Sequence, residues 1–395
     1  MSSVNIGRRT AIRALVSLGA GISSLSIFAN QINRKTIKRM WNNTRFTKLL
    51  GIEYPIVQGP FGGGLSSVKL TSTVSNSGGL GSFGGQPYSA KEIIEYCKEI
   101  RRQTNRPFNI NLWVNDRDTR LATYSSDDYN KLTDLFKPYF NELGISVPER
   151  PTDLGPNFEE QIEAIIDAKP AVFSFVYGIP AAEILEKCRR LGIKTIGAAT
   201  TVDEAIALEN AGVDALVATG MEAGGHRVSF LRPAEDSLTG TLSLIPQVAD
   251  KIKIPIIAAG GIADARGIKA ALALGADAVQ MGTAFLATNE SNASQDHKDK
   301  LFTTEAKYTT LTKVFTGRLS RGIKNRLTED LKNHESLLAP YPLQSKFMSF
   351  LKAYPATADS NPAFKSYWAG QSASLLKHRE ARKLIQTLVV DMDKQ

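Results

Sequence analysis

From Gly51 onward the hydrophobic pattern switches between two periods. Short, mostly apolar runs alternate with longer stretches in which apolar positions return every three or four residues, the signature of strand, helix, strand units in a parallel sheet. The strand-like runs are PIVQG (55–59), GLGSFG (79–84), FNINLW (108–113), AVFSFV (171–176), IKTIGAA (193–199), DALVATG (214–220), IPIIAAGG (254–261) and DAVQMG (277–282). Between them SAKEIIEYCKEIRRQ, PAAEILEKCRRLG, TVDEAIALENAG and ADARGIKAALALG carry helical periodicity, several closed by a glycine at the C-cap.

Eight such strands predict a closed (β/α)8 TIM barrel over residues 45–290; an open doubly wound sheet is the alternative. Asn115 to Glu160 is too long for a simple connection and is expected to be an excursion after strand three, with helices over the barrel mouth. Residues 291–395 are expected to form a mostly helical C-terminal extension packed on the barrel. A chain of 395 residues suits one barrel with such additions.

Composition adds little until it is located. With 42% apolar and 22% charged residues the chain is globular in type, and its net charge is +9. Nine Lys or Arg and no acid lie in residues 1–50; subtracting them from 48 leaves 39 basic residues, equal to the 39 acidic ones. The body is therefore neutral, which argues against a nucleic-acid partner, since phosphate binding needs a clustered basic face. Cys97 and Cys188 lie in helix-like stretches without a CxxC partner and are expected to be buried thiols.

Residues 1–40 read as a leader. Arg8, Arg9 and Arg13 precede sixteen uncharged residues, the layout of a twin-arginine export signal to the periplasm. An organelle transit peptide, or a disordered tail on a cytoplasmic protein, fits the same composition. Its serines and glycines make it a poor spanning helix, so no stable membrane span is expected.

In barrels of this kind the site lies at the C-terminal strand ends, and phosphate binds at the loops after strands seven and eight. Here those loops are AAGGIAD (258–264), with Gly260 and Gly261, and QMGT (280–283). Glycines let a backbone approach closely, amides are left to donate, and the ADARGIKAA segment offers a helix N-terminus. The plainer reading is a pair of tight turns. His226, one of four histidines, follows strand six in TGMEAGGHR and would emerge at the same rim, as a base or as a cation holding an anion. A histidine bonded to a loop carbonyl is the plainer alternative. Gln58 and Thr219 end strands one and six, Asn111 lies within strand three, and Trp113 and Tyr177 could stack on a ring or pack in the core. His297, His334 and His378 are expected to face solvent, and no HxH or HExxH spacing suggests a metal.

Taken together, PIVQGPFGGG, GGLGSFGG, NINLWV, EAGGHR, IPIIAAGGIAD and ADAVQMGTAFLAT resemble the nitronate monooxygenases, with FTGRLSRGIKNR and YWAGQSASL continuing the similarity near the C-terminus. The resemblance implies an FMN-binding barrel. Gly261, Gln280, Met281, Gly282 and Thr283 would hold the phosphate and ribityl region, Asn111 and Gly224 would contact the flavin, and His226 would be catalytic. Two departures stand out: Thr219 replaces the family's usual Gln, and Phe61 follows Pro60 where the family has Met. The implied reaction is oxidation of an alkyl nitronate, such as propionate 3-nitronate, by FMN and dioxygen to a carbonyl compound and nitrite. An FMN-dependent NAD(P)H reductase, for an enoyl group or a quinone, is the rival enzyme on the same barrel; a non-catalytic flavin carrier is the rival from outside enzymes. A fusion of residues 1–40 to a folded reporter is expected in the periplasm of a bacterial host, and cytoplasmic retention overturns the export reading.

Overall fold

The computed structural model describes residues 41–353 and 362–394, so the leader lies outside the described residues. From Arg45 on the chain forms one compact unit. The strands are β1 (Ile56–Gln58), β2 (Gly81–Gly84), β3 (Phe108–Trp113), β4 (Val172–Val176), β5 (Lys194–Ala199), β6 (Ala215–Thr219), β7 (Gly225–His226), β8 (Ile256–Ala259), β9 (Ala278–Met281), β10 (Thr309–Thr312) and β11 (Ser320–Ile323).

Eight of them form a parallel sheet in the order β1-β9-β8-β6-β5-β4-β3-β2. A parallel bridge between Val57 and Leu80 brings the two edges together, with Gln58 N–H donating to Leu80 O at 3.0 Å. The eight apolar runs are therefore the eight staves of a barrel, and the open-sheet alternative is set aside. Nearly continuous burial explains why these runs lack alternation: each strand meets helices outside and packed side chains inside.

The barrel interior is graded in size. Val57, Leu80, Val172, Ile196 and Ile257 fill it from below, together with Phe46 of the helix Arg45–Leu50. Arg45 fixes that helix through Asp277, with Nε and Nη2 at 2.7 and 2.6 Å from the two carboxylate oxygens. Toward the C-terminal ends Ala198, Val217 and Ala259 leave a shallow floor where something flat can lie.

The excursion holds one α-helix, Ser126–Glu142, preceded by a 3-10 turn at Thr119–Thr123. Residues beyond 300 depart from the mostly helical expectation. β10 and β11 form an antiparallel hairpin whose β11 edge takes up β7, pairing Ser320 with His226 and Arg321 with Gly225. TTLT and SRGI show no apolar alternation: β11 is buried along its whole length, its first two residues pairing with the loop at the barrel rim and Ile323 entering a small apolar cluster.

Excursion and extension share a second core, in which Tyr129, Phe136 and Phe140 of the one meet Phe315, Leu343 and Phe347 of the other. Phe347 is fully buried, with ring centroids of Phe136 and Phe140 at 5.2 and 5.5 Å. Cys97 and Cys188 are buried and unbridged, and burial pushes both thiols up to about 11. Among the described residues no helix is long and apolar enough to cross a membrane. Phe347→Ala is expected to destabilise the fold by about 3–5 kcal/mol in urea unfolding. A loss under about 1 kcal/mol would mean that the second core bears little of the stability.

Candidate functional site

A cavity of about 430 Å³ opens at the C-terminal ends of the barrel strands. Asn111, Thr219, Gly224, His226, Gly260, Gly261, Gln280, Gly282 and Thr283 all line it, although they come from five separate stretches of chain. Gln58 and Met281 do not. Gln58 is fully buried, accepting from Ser82 N–H at 2.8 Å and donating to Gly59 O, so its amide is spent closing the barrel. Met281 is likewise fully buried, and its carbonyl accepts from Gly59 N–H at 2.9 Å. Asn111 reaches the floor with Nδ2 donating to Ser174 Oγ at 2.9 Å.

His226 is held by two buried charged neighbours of its loop. Arg227, 1% exposed, donates from Nη1 to Thr219 O and Gly220 O at 3.1 and 2.7 Å and from Nη2 to Ser237 O at 2.8 Å. Burial lowers its pKa to about 10, against the opposing pull of Glu204 and Glu222; among the described residues no carboxylate bonds to it and Nε has no partner. Glu204, at the start of the helix Val202–Asn210, accepts from Thr200 N–H and Oγ1 and from the N–H groups of Phe230 and Leu231, all within 3.1 Å. The loop is thus pinned on both sides of the histidine. Thr316 Oγ1 lies 3.0 Å from His226 Nε2, and the imidazole sits between two indoles, Trp113 at 5.1 Å and Trp368 at 5.6 Å.

Gly224 is required by a protein contact. A Cβ there would stand 2.6 Å from Ala369 C and Gly370 N, because residues 366–372 cross over the EAGG turn. That strap is tied by Gly370 N–H to Thr283 Oγ1 at 2.9 Å and by Gln371 N–H to Glu222 O at 3.0 Å.

The two glycine loops face the cavity, but the expected helix N-terminus does not serve them. Asp264 already caps the helix Ala265–Ala273, accepting from Arg266 and Gly267 N–H, and Arg266 beside it holds its carboxyl below the usual range. Glu222 does the same for the helix Thr241–Ala249 through Thr241 N–H at 2.9 Å. What remains is bare backbone: the N–H groups of Gly261, Gly282 and Thr283 have no hydrogen-bond partner among the described residues. Gly261 has φ +71, and a Cβ on Gly282 would meet nothing within 4 Å.

An aromatic wall stands opposite. Trp113, Tyr177 and Tyr341 cluster with ring centroids 5.1 and 5.2 Å from Trp113, around the buried guanidinium of Arg318. Arg318 lies 4.1 and 4.5 Å from the Tyr177 and Tyr341 centroids, and Nε donates to Asp118 Oδ1 at 2.8 Å. Extension, excursion and barrel thereby meet on one cation. Tyr177 itself adopts φ +64, a conformation unusual for a residue other than glycine.

His297 corrects an expectation. It is buried at 4% exposure, lines the cavity, and its Nε2 is 3.0 Å from Trp368 O. A carbonyl only accepts, so Nε2 carries the proton, and burial lowers the pKa, keeping the ring neutral. His334 is exposed and His378 half-buried. Thr316, Tyr341 and Trp368 line the cavity as well; the FTGR and YWAG motifs are the sequence signal for Thr316 and Trp368, and Tyr341 lies in neither.

The nitronate monooxygenase family model matches residues 43–391. The chain belongs to the nitronate monooxygenase family. A probable nitronate monooxygenase of Staphylococcus aureus (strain MSSA476) is 38% identical over 351 residues, which is 89% of this chain and 97% of the relative. Among solved structures, a nitroalkane oxidase from Streptomyces ansochromogenes superposes with TM-score 0.79 at 33% identity, covering 88% of this chain and 98% of its own. FabK from Thermotoga maritima gives 0.69 at 27% identity, with 89% and 96% covered. The family makes this chain a flavin-dependent oxidoreductase with a small-molecule substrate.

Thr316→Val keeps the volume and removes the hydroxyl beside His226. Loss of about 1.4 kcal/mol of orientation predicts a roughly tenfold lower kcat with KM little changed. Wild-type kcat in oxygen-uptake assays would show that the hydroxyl does not position the imidazole.

Proposed function

We propose that the protein is an FMN-dependent nitronate monooxygenase, oxidising alkyl nitronates with dioxygen to a carbonyl compound and nitrite. The supporting observation is that His226 and the unpartnered amides of Gly261, Gly282 and Thr283 face one cavity. These amides fit a phosphate: they are unpaired donors, and the space over Gly282 is open. Thr283 Oγ1 accepts from Gly370 N–H, so its hydroxyl proton is available to donate to an anion. The small floor residues Ala198, Val217 and Ala259 suit a flat ring lying above Asn111 and Gln280. When bound, FMN supplies the one-electron chemistry with dioxygen that no side chain offers.

The chain's own contribution is placement and proton handling. His226, steadied by Thr316, orients the anionic nitronate and takes the α-proton from a neutral nitroalkane. Trp113, Trp368 and Tyr341 keep water from the substrate and limit its approach to one face. The similarity to the Streptomyces nitroalkane oxidase favours oxidation over the reductase reading, because the FabK structures resemble this chain at lower identity.

His226→Asn is expected to lower oxygen uptake with neutral nitroalkanes by about 100-fold or more, and with preformed nitronates by much less. Equal rates with wild type on both substrates reject the assignment. Rapid bleaching of the flavin by NADH under anaerobic conditions, without oxygen-coupled turnover of nitronates, would favour the reductase.

A further inference from the structure

We propose that this cavity selects nitronates whose tail is uncharged and disfavours those with a second anionic group, propionate 3-nitronate included. The inference rests on the reading of the site as a nitronate-oxidising one. Among the described residues, no Asp, Glu, Lys or Arg side chain lines the cavity. Its ionisable groups are His226, His297 and Tyr341. His297 is neutral, for the reasons given above, and burial pushes the Tyr341 phenol up, so it also stays uncharged. One imidazole, His226, therefore remains to meet negative charge, and the nitronate head takes it.

Three arginines approach this region and each is held by protein groups outside the cavity lining, although Arg227 Nε and Arg318 Nη1 are buried without a hydrogen-bond partner among the described residues. Arg227 is spent on the carbonyls of Thr219, Gly220 and Ser237. Arg318 is engaged by Asp118, by Asn115 O and by the Tyr177 and Tyr341 rings. Arg321 donates to Met221 O and Thr309 Oγ1 at 2.9 and 3.1 Å. None of the three belongs to the cavity lining, and Glu204, Glu222 and Asp118 lie among them with opposite charge. The walls instead offer Phe61, Leu65, Val228 and Trp368 with a few neutral donors such as Gln86 and Ser345. A tail carboxylate would give up its hydration with no cation to replace it. The phosphate of FMN in the same cavity, met by amides alone, would add like charge.

Butanoate and succinate test this without turnover. Each has a planar anionic head in place of the nitronate group, and they match the nitronate of 1-nitropropane and propionate 3-nitronate in chain length. Two of the three tryptophans line the cavity, so binding to the purified holoenzyme is read from their fluorescence at fixed ionic strength. Succinate is expected to bind at least about 30-fold more weakly than butanoate, and kcat/KM for propionate 3-nitronate to fall below that for propyl-1-nitronate by a similar factor. Succinate binding as tightly as butanoate overturns the charge selection, whatever the oxidation assays show. Absence of oxygen uptake with either nitronate, with the affinity ratio intact, overturns the oxidase reading and leaves the selection standing.

Discussion

A guanidinium almost out of reach of water governs how this site is built. Arg227 meets no carboxylate, and its three bonds go to backbone carbonyls at the end of β6 and in the loop beyond it. Such a group is costly to bury, and a variant that left those carbonyls unpaired would lose about 1–3 kcal/mol for each one that water could not reach. The arrangement persists because the loop after β6 has little secondary structure of its own: the two residues of β7 and the short 3-10 turn Ala234–Asp236. With Arg227 on one side and Glu204 on the other, a glycine-rich turn that would otherwise move freely presents its histidine at a fixed point. Everything the imidazole can do follows from that pinning: its approach to Thr316, its place between two indoles, and its position above a floor of small side chains.

The same economy of charge appears at the two glycine loops proposed to hold a phosphate. Both longer helices that start near the glycine loops have carboxylates at their N-termini, Asp264 on one and Glu222 on the other. An anionic ligand must therefore be met by isolated amides, which are directional but weak in field compared with a lysine. Glu222 also holds the strap, through its carbonyl and Gln371 N–H. One residue thus stabilises a helix start and closes the roof over the EAGG turn. Recognition by geometry rather than charge suits a cavity that must also admit a small, polarisable substrate.

The barrel was legible because its signal is one of period. Eight apolar runs buried on both faces read alike wherever they lie, and their C-terminal ends lead directly to Gly260, Gly261, Gly282 and His226. Gln58 misled because its position at the end of β1 is right but its amide faces sideways, into Ser82 and Gly59. Gly224, expected to contact the flavin, lines the cavity and also makes room for Ala369 and Gly370. A glycine announces that something comes close, and not what. His297 looked like a surface residue because its neighbours Gln295, Asp296, Lys298 and Asp299 are polar; the burial comes from Trp368 and Tyr367, some seventy residues away, and no local pattern carries that.

The extension explains why the roof is separable from the floor. Barrel strands supply the amides, Asn111 and Gln280, whereas Thr316, Tyr341 and Trp368 come from segments whose packing is mostly with the excursion. Arg318 joins the two, because its partners span the excursion (Asn115, Asp118), the barrel (Trp113, Tyr177) and the extension (Tyr341). A change in the second core would then act through the tilt of the aromatic wall and leave the unpartnered amides of Gly261, Gly282 and Thr283 in place, since these follow β8 and β9. In a fold where loops carry function on a rigid scaffold, the proposed reading divides the labour between two packed bodies: cofactor retention would belong to the barrel, and the choice of substrate tail to the core that excursion and extension build together.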